Sequence, residues 1–484
     1  MKGQSQFITH QKRLIPFYFL ATGIILCSLN FFFFWDKDVF NSKQAFWFLE
    51  NGMSIVPDES VNSGHFPFVG LMLAFLWRIF GINLWIGHLV MLPFALGLIW
   101  QIHRLILRFI EVPRSQIALL IVIIDTSVLA QMVMLTGELI QLFFLFLSIN
   151  AILYGNRKNL FYSLVLLALT GSRGIFSCVM VGIFDLYYQY RYKSAKQVIK
   201  SFLKLMPGYI PAILITGCYL IYHKYKTGWI GYNPVDSNWA PLFEKVGLRG
   251  VVRNVFIVGW RLVDFGKLIL WIVAGYFGLM LFGRKIKMDK KAETLFTLYI
   301  ISLIVFTPTM LIYKGLLAHR YLLPSYIIFA ALVVYFLLEK LKNIKLRKAY
   351  TVIILLGLIS GNFWIYPDHI AKGWDATLAH IPYYKLRRDM LKYIDENNIP
   401  VENTGSEVPN VTKMKYIDLT DDERSFHVKD FDKDEYILYS NVFNMFTDEE
   451  LHKLKTDWEP VKIMKLLQVK MILYKKPQYE IKEK

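Results

Sequence analysis

Long apolar blocks are the feature that most constrains this chain. A membrane-spanning helix needs about 20 mostly apolar residues, and runs of that kind recur from Leu14 to Tyr366. From Pro367 onward charged residues are dense, and no run is long enough to cross a bilayer. The sequence therefore predicts a polytopic α-helical membrane domain over residues 1–366, with about eleven transmembrane helices, and a soluble C-terminal α/β domain over residues 367–484.

The positive charge is a topology signal. Six basic loops hold 23 lysines and arginines against four acids, a net of +19, so the rest of the chain contributes −1 to the net charge of +18. Cytoplasmic loops carry such an excess, so we expect the N-terminus inside, the C-terminal domain outside, and no nucleic acid partner. We expect the cytoplasmic membrane of a cell, because no endoplasmic reticulum retention signal closes the chain. The basic loops are residues 1–13, 103–114, 155–158, 191–204, 283–294 and 339–348.

Two long loops are predicted on the outer side, at residues 36–82 and 224–254. In the first, His65–Phe80 is apolar but short. Counting it as a crossing would place every later basic loop outside, so we predict an interfacial or re-entrant helix there. Crossings are predicted near residues 14–35, 83–102, 115–135, 139–154, 159–172, 175–190, 207–223, 255–282, 295–313, 321–338 and 349–366.

The C-terminal domain shows helix and strand patterns but no catalytic motif. Tyr384–Asn397 has helical periodicity, and Tyr436–Ser440 and Val469–Tyr474 have the composition of buried strands. Thr447–Glu450 has the pattern of a capping box that opens a helix toward Lys455. We interpret this domain as a cap that stabilises the membrane domain or docks an acceptor.

Carboxylates stand at predicted outer helix ends. Asp36 and Asp38 follow the first span directly and are suited to act as a general base, or to bind a cation beside a phosphate. The alternative is that they are ordinary charged loop ends. Glu138 is isolated between two apolar runs, where an ionisable group is costly and often functional; the alternative is an exposed turn residue.

Basic groups stand at the same predicted side. Arg173 and Arg320 run against the positive-inside bias, so each needs a partner, and a phosphate or carboxylate suits the guanidinium fork. Contact with lipid headgroups is the alternative. His65 opens the short helix of the first loop, where a lone histidine is more often structural.

Four further polar or aromatic residues have a structural and a functional interpretation. Arg261, Asp264 and Lys267 are spaced to share one helical face; we favour a structural ion-pair ladder, which leaves one positive charge for a substrate. Trp229, in the second outer loop, is suited to anchor at the interface or to stack on a sugar or lipid. Under this topology six of the polar groups lie at outer helix ends, whereas a transporter is expected to place them near the bilayer midplane: Asp36, Asp38, His65, Glu138, Arg173 and Arg320.

At these residues the sequence resembles the GT-C class of membrane glycosyltransferases, near the protein O-mannosyltransferase and aminoarabinose transferase branch. The family usually has an aspartate at the Glu138 position and a lysine at the Arg173 position. Aligned on Leu49–Pro57, its leading aspartate falls on Lys37 and its second acid on Asp38, and a one-residue insertion puts Asp36 there instead. The resemblance is carried by residues 36–57, 65–81 (His65-Phe66-Pro67 to Leu76–Gly81), 130–144, 169–174 and 319–324 (His319-Arg320-Tyr321-Leu322-Leu323-Pro324).

The resemblance implies sugar transfer, of the inverting type, from a polyprenyl-phosphate donor to an acceptor outside the membrane. It implies Asp38 or Asp36 as base and Glu138 as a residue that orients the acceptor or assists a cation. Phosphate binding would fall to Arg173, Arg320 and His65. Further substrate contacts are expected from Tyr321, Trp229, Arg261 and Lys267.

Membrane lipids are the other expected partner. The sequence identifies no cofactor with certainty. It leaves a divalent cation open, although two carboxylates and one distant glutamate do not make a convincing metal site. The alternatives are a transporter or flippase of a lipid-linked sugar, and a non-catalytic envelope scaffold.

Overall fold

Apolar helices build the first three quarters of the chain. The computed structural model describes residues 12–191, 195–231, 240–367, 370, 373–443 and 445–477. Apolar runs form helices because a lipid environment leaves backbone groups no partner outside their own segment. The helices are α1 (Ile15–Ser28), α2 (Asp36–Glu50), α3 (Phe68–Phe80), α4 (Leu84–Leu89), α5 (Leu92–Phe109), α6 (Arg114–Ile123), α7 (Thr126–Val133), α8 (Gly137–Leu153), α9 (Arg157–Leu169), α10 (Ser172–Tyr190), α11 (Ala195–Thr227), α12 (Leu248–Val263), α13 (Leu268–Phe282), α14 (Lys290–Ile312), α15 (Leu323–Tyr335) and α16 (Ile344–Ser360).

The lengths of these helices support a membrane protein. Within the described residues, three stretches are each long and apolar enough to cross a bilayer: Leu84–Phe109, Lys290–Ile312 and His319–Lys340. Two bent pairs, α6 with α7 and α12 with α13, raise this number to five if each pair is one crossing. The helical membrane architecture is therefore confirmed, while the count of eleven crossings and the domain boundary after residue 366 stay predictions.

The first helix is shorter than the predicted span of residues 14–35. It ends at Ser28, and residues 31–34 lie outside any helix. The N–H of Phe33 donates to the carbonyl of Ile417 at 2.9 Å, and the Phe31 ring stacks on Tyr384 with ring centroids 4.1 Å apart. The phenylalanine run leaves the helix because the C-terminal domain gives it backbone and aromatic partners.

The predicted span near residues 255–282 is two helices rather than one. α12 and α13 meet at an angle of 92°. Phe265 and Gly266 both have positive φ, 50° and 83°, and a Cβ on Gly266 would lie 2.0 Å from the carbonyl oxygen of Gly357. The close approach to α16 therefore requires glycine at the bend.

α12 lies across the C-terminal end of α14. The side-chain amide of Asn254 donates to the carbonyl oxygens of Leu311 and Tyr313, each at 3.0 Å. Both acceptors stand where α14 ends, so α12 packs on that end of the bundle and does not prolong α13.

Several of the basic loops meet at one end of the bundle. Ion pairs join the loops that contain residues 103–114, 191–204, 283–294 and 339–348, which places all four together. α8, α10 and α15 each run from a charged residue at their start toward this end. The joining pairs are Arg114–Glu339 at 3.2 Å, Lys340–Asp289 at 2.5 Å and Arg191–Glu293 at 2.8 Å.

The C-terminal part folds around a five-stranded sheet in the order β2-β1-β3-β5-β4. β1 pairs parallel with β2 and β3, and β5 pairs antiparallel with β3 and β4. The predicted helix, both predicted strands and the capping box at Thr447 are all present. The elements are α17 (Pro382–Glu396), α18 (Met414–Asp418), α19 (Asp448–Asp457), β1 (Thr404–Ser406), β2 (His427–Val428), β3 (Tyr436–Ser440), β4 (Glu459–Leu466) and β5 (Val469–Lys475).

Candidate active site

The starts of α2, α8, α10 and α15 converge at the end of the bundle away from the basic loops. Asp36 begins α2, Glu138 lies in the first turn of α8, Arg173 lies in the first turn of α10, and Arg320 lies in the short 3₁₀ turn before α15. Free backbone N–H groups and the helix dipole make such ends favourable for anions. The geometry therefore collects charged side chains and helix N-termini at one place.

Arg320 is the centre of this group. Its guanidinium lies 3.2 Å from Asp375, 3.6 Å from Glu138 and 3.8 Å from Asp36, measured between nitrogen and carboxylate oxygen. The Nε of Arg320 makes no hydrogen bond within the described residues. One cation therefore holds three carboxylates that come from three distant parts of the sequence.

Arg173 stands beside Arg320 and shares one of its partners. It forms an ion pair with Glu138, and its guanidinium lies 3.6 Å from the ring centroid of Tyr321, a cation–π contact. The Arg173 side chain is 32% exposed. Glu138 thus bridges two guanidinium groups, one of which is open to a ligand.

The two acids that the sequence left as alternatives occupy different environments. Asp36 faces Arg320 and is 32% exposed. Asp38 is 2% exposed, and its Oδ1 has no hydrogen-bond partner in the described part of the chain. Burial, with the nearby Asp36 charge adding to it, raises the pKa of Asp38 well above its usual range. Only Asp36 combines exposure with a cationic neighbour.

His65 lies next to this site but as a neutral side chain. Its Nδ1 is 3.1 Å from the hydroxyl of Ser63, and its ring packs on Gly171, where a Cβ would lie 3.3 Å from Cε1. Burial, with the positive charge of Lys37 adding to it, lowers the pKa of His65 to about 3. The imidazole can exchange hydrogen bonds with a ligand, but it supplies no positive charge at neutral pH.

Sequence reasoning did not find two members of the group, Lys37 and Asp375. Lys37 interacts electrostatically with Asp36, Glu138 and both arginines. Asp375 belongs to the C-terminal part, where no motif marks it. We call the six residues Asp36, Lys37, Glu138, Arg173, Arg320 and Asp375 the helix-end cluster.

Comparison with known proteins relates this geometry to a known fold. No protein-family model matches the chain, and no curated protein sequence matches it. Solved structures do match, among them the crystal structures of ArnT from Cupriavidus metallidurans bound to undecaprenyl phosphate and in the apo state. The first has a TM-score of 0.56 at 12% identity over 95% of this chain and 97% of that one. The second has 0.51 at 12% identity over 96% and 98%.

The chain has the ArnT fold. The resemblance to GT-C glycosyltransferases that the motifs indicated is therefore confirmed at the level of the fold. Since the ArnT likeness covers almost the whole chain, it includes both the helical bundle and the C-terminal sheet. Identity of 12% leaves the site residues to be argued from this chain's own geometry.

Arg261 and Lys267 belong to a second, buried group at the bend between α12 and α13. Asp264 lies 3.6 Å from Arg261 and 2.8 Å from His319, whereas Lys267 pairs with Asp125 at 3.5 Å. The expected single helical face is wrong, because the chain turns at Asp264 and sends Lys267 to another partner. We call Asp125, Arg261, Asp264, Lys267 and His319 the bend cluster.

Trp229 packs in the loop region near His65. Its carbonyl faces Nδ1 of His223 at 3.1 Å, and its ring lies 2.7 Å from where a Cβ on Gly64 would be. This contact joins the two loops predicted on the outer side. Residues 232–239 of the second loop lie outside the described residues.

No resident metal is indicated in the described ranges. Within them, no group of three or more histidine, cysteine, aspartate or glutamate side chains is arranged to hold an ion. The carboxylates of the helix-end cluster face arginines instead, and this arrangement suits binding of an anion through the cations.

Proposed function

We propose that this protein is a membrane glycosyltransferase that moves a sugar from a polyprenyl-phosphate donor to an acceptor outside the membrane, with inversion. The observation that carries the proposal is a partly exposed carboxylate, Asp36, paired with Arg320, which Glu138 in turn joins to Arg173 at one end of the bundle. The fold is shared with an ArnT crystallised with undecaprenyl phosphate. We further propose the cytoplasmic membrane as location, with this end of the bundle and residues 367–484 on the outer side.

Arg173 and Arg320 bind the donor phosphate in this proposal. A guanidinium offers paired N–H donors that match phosphate oxygens. The phosphate gains negative charge as the sugar leaves, so donors already in place stabilise the transition state more than the bound donor. Glu138 positions the two guanidinium groups because it contacts both, and the Tyr321 ring supports Arg173 from one face.

Asp36 is the proposed general base. It takes the proton from an acceptor hydroxyl or amine while the acceptor's lone pair attacks the anomeric carbon. The bond between that carbon and the phosphate oxygen breaks, and its electron pair stays on the polyprenyl phosphate. Asp38 is not given this role because its side chain is only 2% exposed, which keeps its carboxylate out of reach of an acceptor.

The proposal is tested by comparing Asp36→Asn with Asp38→Asn. Purified protein in lipid nanodiscs is given a set of polyprenyl-phosphate sugars, and release of polyprenyl phosphate is followed. Loss of a general base costs about 10²–10⁴-fold in rate, so we expect that loss for Asp36→Asn and turnover within about threefold of wild type for Asp38→Asn. Equal rates for the two variants would rule out the assignment of Asp36.

A flippase for a lipid-linked sugar is the second candidate, because the described residues include two broken helices with charges at their breaks. The Asp125–Lys267 pair joins the break between α6 and α7, bent by 66°, to the bend before α13. Broken helices with charged groups are typical of transporter sites. The cavity beside this pair, lined also by Ser325 and Tyr326, is only about 10 Å³, room for at most one water. Movement of an intact labelled donor across liposomes, without its consumption, would favour the flippase.

A further inference from the structure

A short segment of the C-terminal part lies directly on the arginine of the proposed phosphate site. We call residues 373–376 the strap. A Cβ on Gly373 would lie 2.6 Å from Cε1 of His319, the residue before Arg320. The backbone carbonyl of Asp375 accepts a hydrogen bond from Gln131 at 3.3 Å. The strap is therefore held to the bundle on both sides of the Asp375 side chain.

The Asp375 carboxylate makes the shortest of the three ion pairs of Arg320. Its Oδ2 is 3.2 Å from Nη1, against 3.6 Å for Glu138 and 3.8 Å for Asp36. The side chain is 15% exposed, so this charge pair is largely withdrawn from solvent, where it is screened less than a surface pair. An anion that seeks Arg320 must compete with this carboxylate.

The charges of the helix-end cluster balance only when Asp375 is counted. Lys37, Arg173 and Arg320 stand against Asp36, Glu138 and Asp375. A polyprenyl phosphosugar is a phosphodiester with a single negative charge. Exchange of the Asp375 carboxylate for that phosphate keeps the balance, whereas binding of the phosphate beside Asp375 adds an unpaired negative charge in a poorly solvated place.

We propose that Asp375 is a built-in stand-in for the donor phosphate on Arg320, and that the phosphate displaces it when the donor binds. The inference rests on the proposed function and adds a residue to it. Asp375 keeps the guanidinium oriented. Because an anion must displace this carboxylate to bind Arg320, weakly binding anions are excluded. Because the strap continues into the C-terminal domain, binding of the donor is thereby linked to a movement of that domain's first segment.

A purely structural ion pair would behave differently. Arg320 keeps Glu138 and Asp36 as partners if Asp375 loses its charge. The strap also stays anchored through the buried side chain of Trp374, 4% exposed, and through the backbone contact with Gln131. Asp375→Asn therefore removes the competing charge and keeps the shape of the segment.

The experiment measures binding of undecaprenyl phosphate to the purified full-length chain in detergent, for wild type, Asp375→Asn, Asp421→Asn and Arg320→Gln. Asp421 is an exposed acid of the same domain, so Asp421→Asn changes the net charge equally without touching the site. We expect Asp375→Asn to bind at least about fivefold more tightly than wild type. We expect Asp421→Asn to bind as wild type does and Arg320→Gln to lose binding.

Hydrogen exchange of the strap gives a readout that a structural pair would not produce. We expect amides of residues 373–376 to exchange faster in the wild type when undecaprenyl phosphate is added, although ligands usually slow exchange. Unchanged or weaker binding by Asp375→Asn, or slower hydrogen exchange of the strap when the lipid is added, overturns the proposed role of Asp375. The proposed function stands in that case if Arg320→Gln still loses binding. Failure of the wild type to bind the lipid phosphate overturns both.

Discussion

The helix-end cluster and the bend cluster are built from the same residue types but differ in access. In the helix-end cluster, Asp36 and Arg173 each have about a third of their side chain exposed. In the bend cluster, Arg261, Asp264 and Lys267 are 9% exposed or less. Ion pairs that water and ligands reach are suited to exchange partners, whereas sealed pairs mainly fix the backbone that carries them. The comparison therefore separates binding groups from groups that hold the bend.

The largest effect is expected from breaking the bend cluster. Asp264→Ala leaves Arg261 and His319 buried without their acid, and loss of one partner of a buried ion pair costs about 3–5 kcal/mol of folding free energy. The midpoint of thermal unfolding in detergent measures it. The matched variant at the other cluster, Asp36→Ala, should change stability by no more than about 0.5 kcal/mol. Equal destabilisation by the two variants would show that the clusters do not differ in role.

Arginine-to-lysine substitutions compare the two clusters by their effect on lipid affinity. Arg320→Lys keeps the charge but loses the planar fork, so affinity for undecaprenyl phosphate should fall about tenfold or more. Arg261→Lys should leave the affinity of the folded protein within about twofold of wild type, because Arg261 is sealed below the site. Titration of both variants with the same lipid measures the difference, and a larger loss for Arg261→Lys would contradict the assignment.

Asp38 should make the free energy of unfolding depend on pH. The pKa of Asp38 is raised in the folded state. At pH values between the unfolded and the folded pKa, the folded protein therefore binds more protons than the unfolded chain. The free energy of unfolding falls as the pH rises through that window. Asp38→Asn removes this cost, so it should raise the free energy of unfolding at pH 7.5 and give a smaller gain near pH 3.5, below the ordinary pKa of the carboxyl. The midpoints of unfolding of wild type, Asp38→Asn and the control Asp36→Asn at the two pH values test the direction of this effect. Destabilisation by Asp38→Asn at pH 7.5 would show that the buried carboxylate is charged and paired.

The smallest effect is expected at His65. With a pKa of about 3 the imidazole stays neutral from pH 5 to pH 8, so its titration should not change phosphate affinity in that range. His65→Asn should lower the affinity by about fivefold at most, the worth of one hydrogen bond. Binding curves for wild type and His65→Asn across this pH range make the test. A change in phosphate affinity near pH 6.5 that is absent in His65→Asn would show that His65 becomes charged and contacts the phosphate directly.

The sequence by itself determined the architecture and the side on which charged groups gather. Apolar runs of spanning length dictated the helices, and the basic loops marked the ends that lie together, as the Arg114–Glu339 and Lys340–Asp289 pairs show. Short elements of the C-terminal part, such as β3, followed from local composition and periodicity. These features depend on neighbours in the chain, which is why they can be read without a structure.

The tertiary structure alone decided which charges form the candidate site. Two residues apart on a helix point about 200° apart, so either Asp36 or Asp38 could face the arginines. In the folded chain Asp38 is buried and interacts electrostatically with Tyr384 of the C-terminal part, whereas Asp36 lies at Arg320. Asp375 joins from 55 residues beyond Arg320 and 339 beyond Asp36, through contacts that no local pattern encodes. The bend at Asp264 likewise depends on the close approach of α16. The sequence pattern is compatible with one continuous helix, and the break is set by the position of another helix.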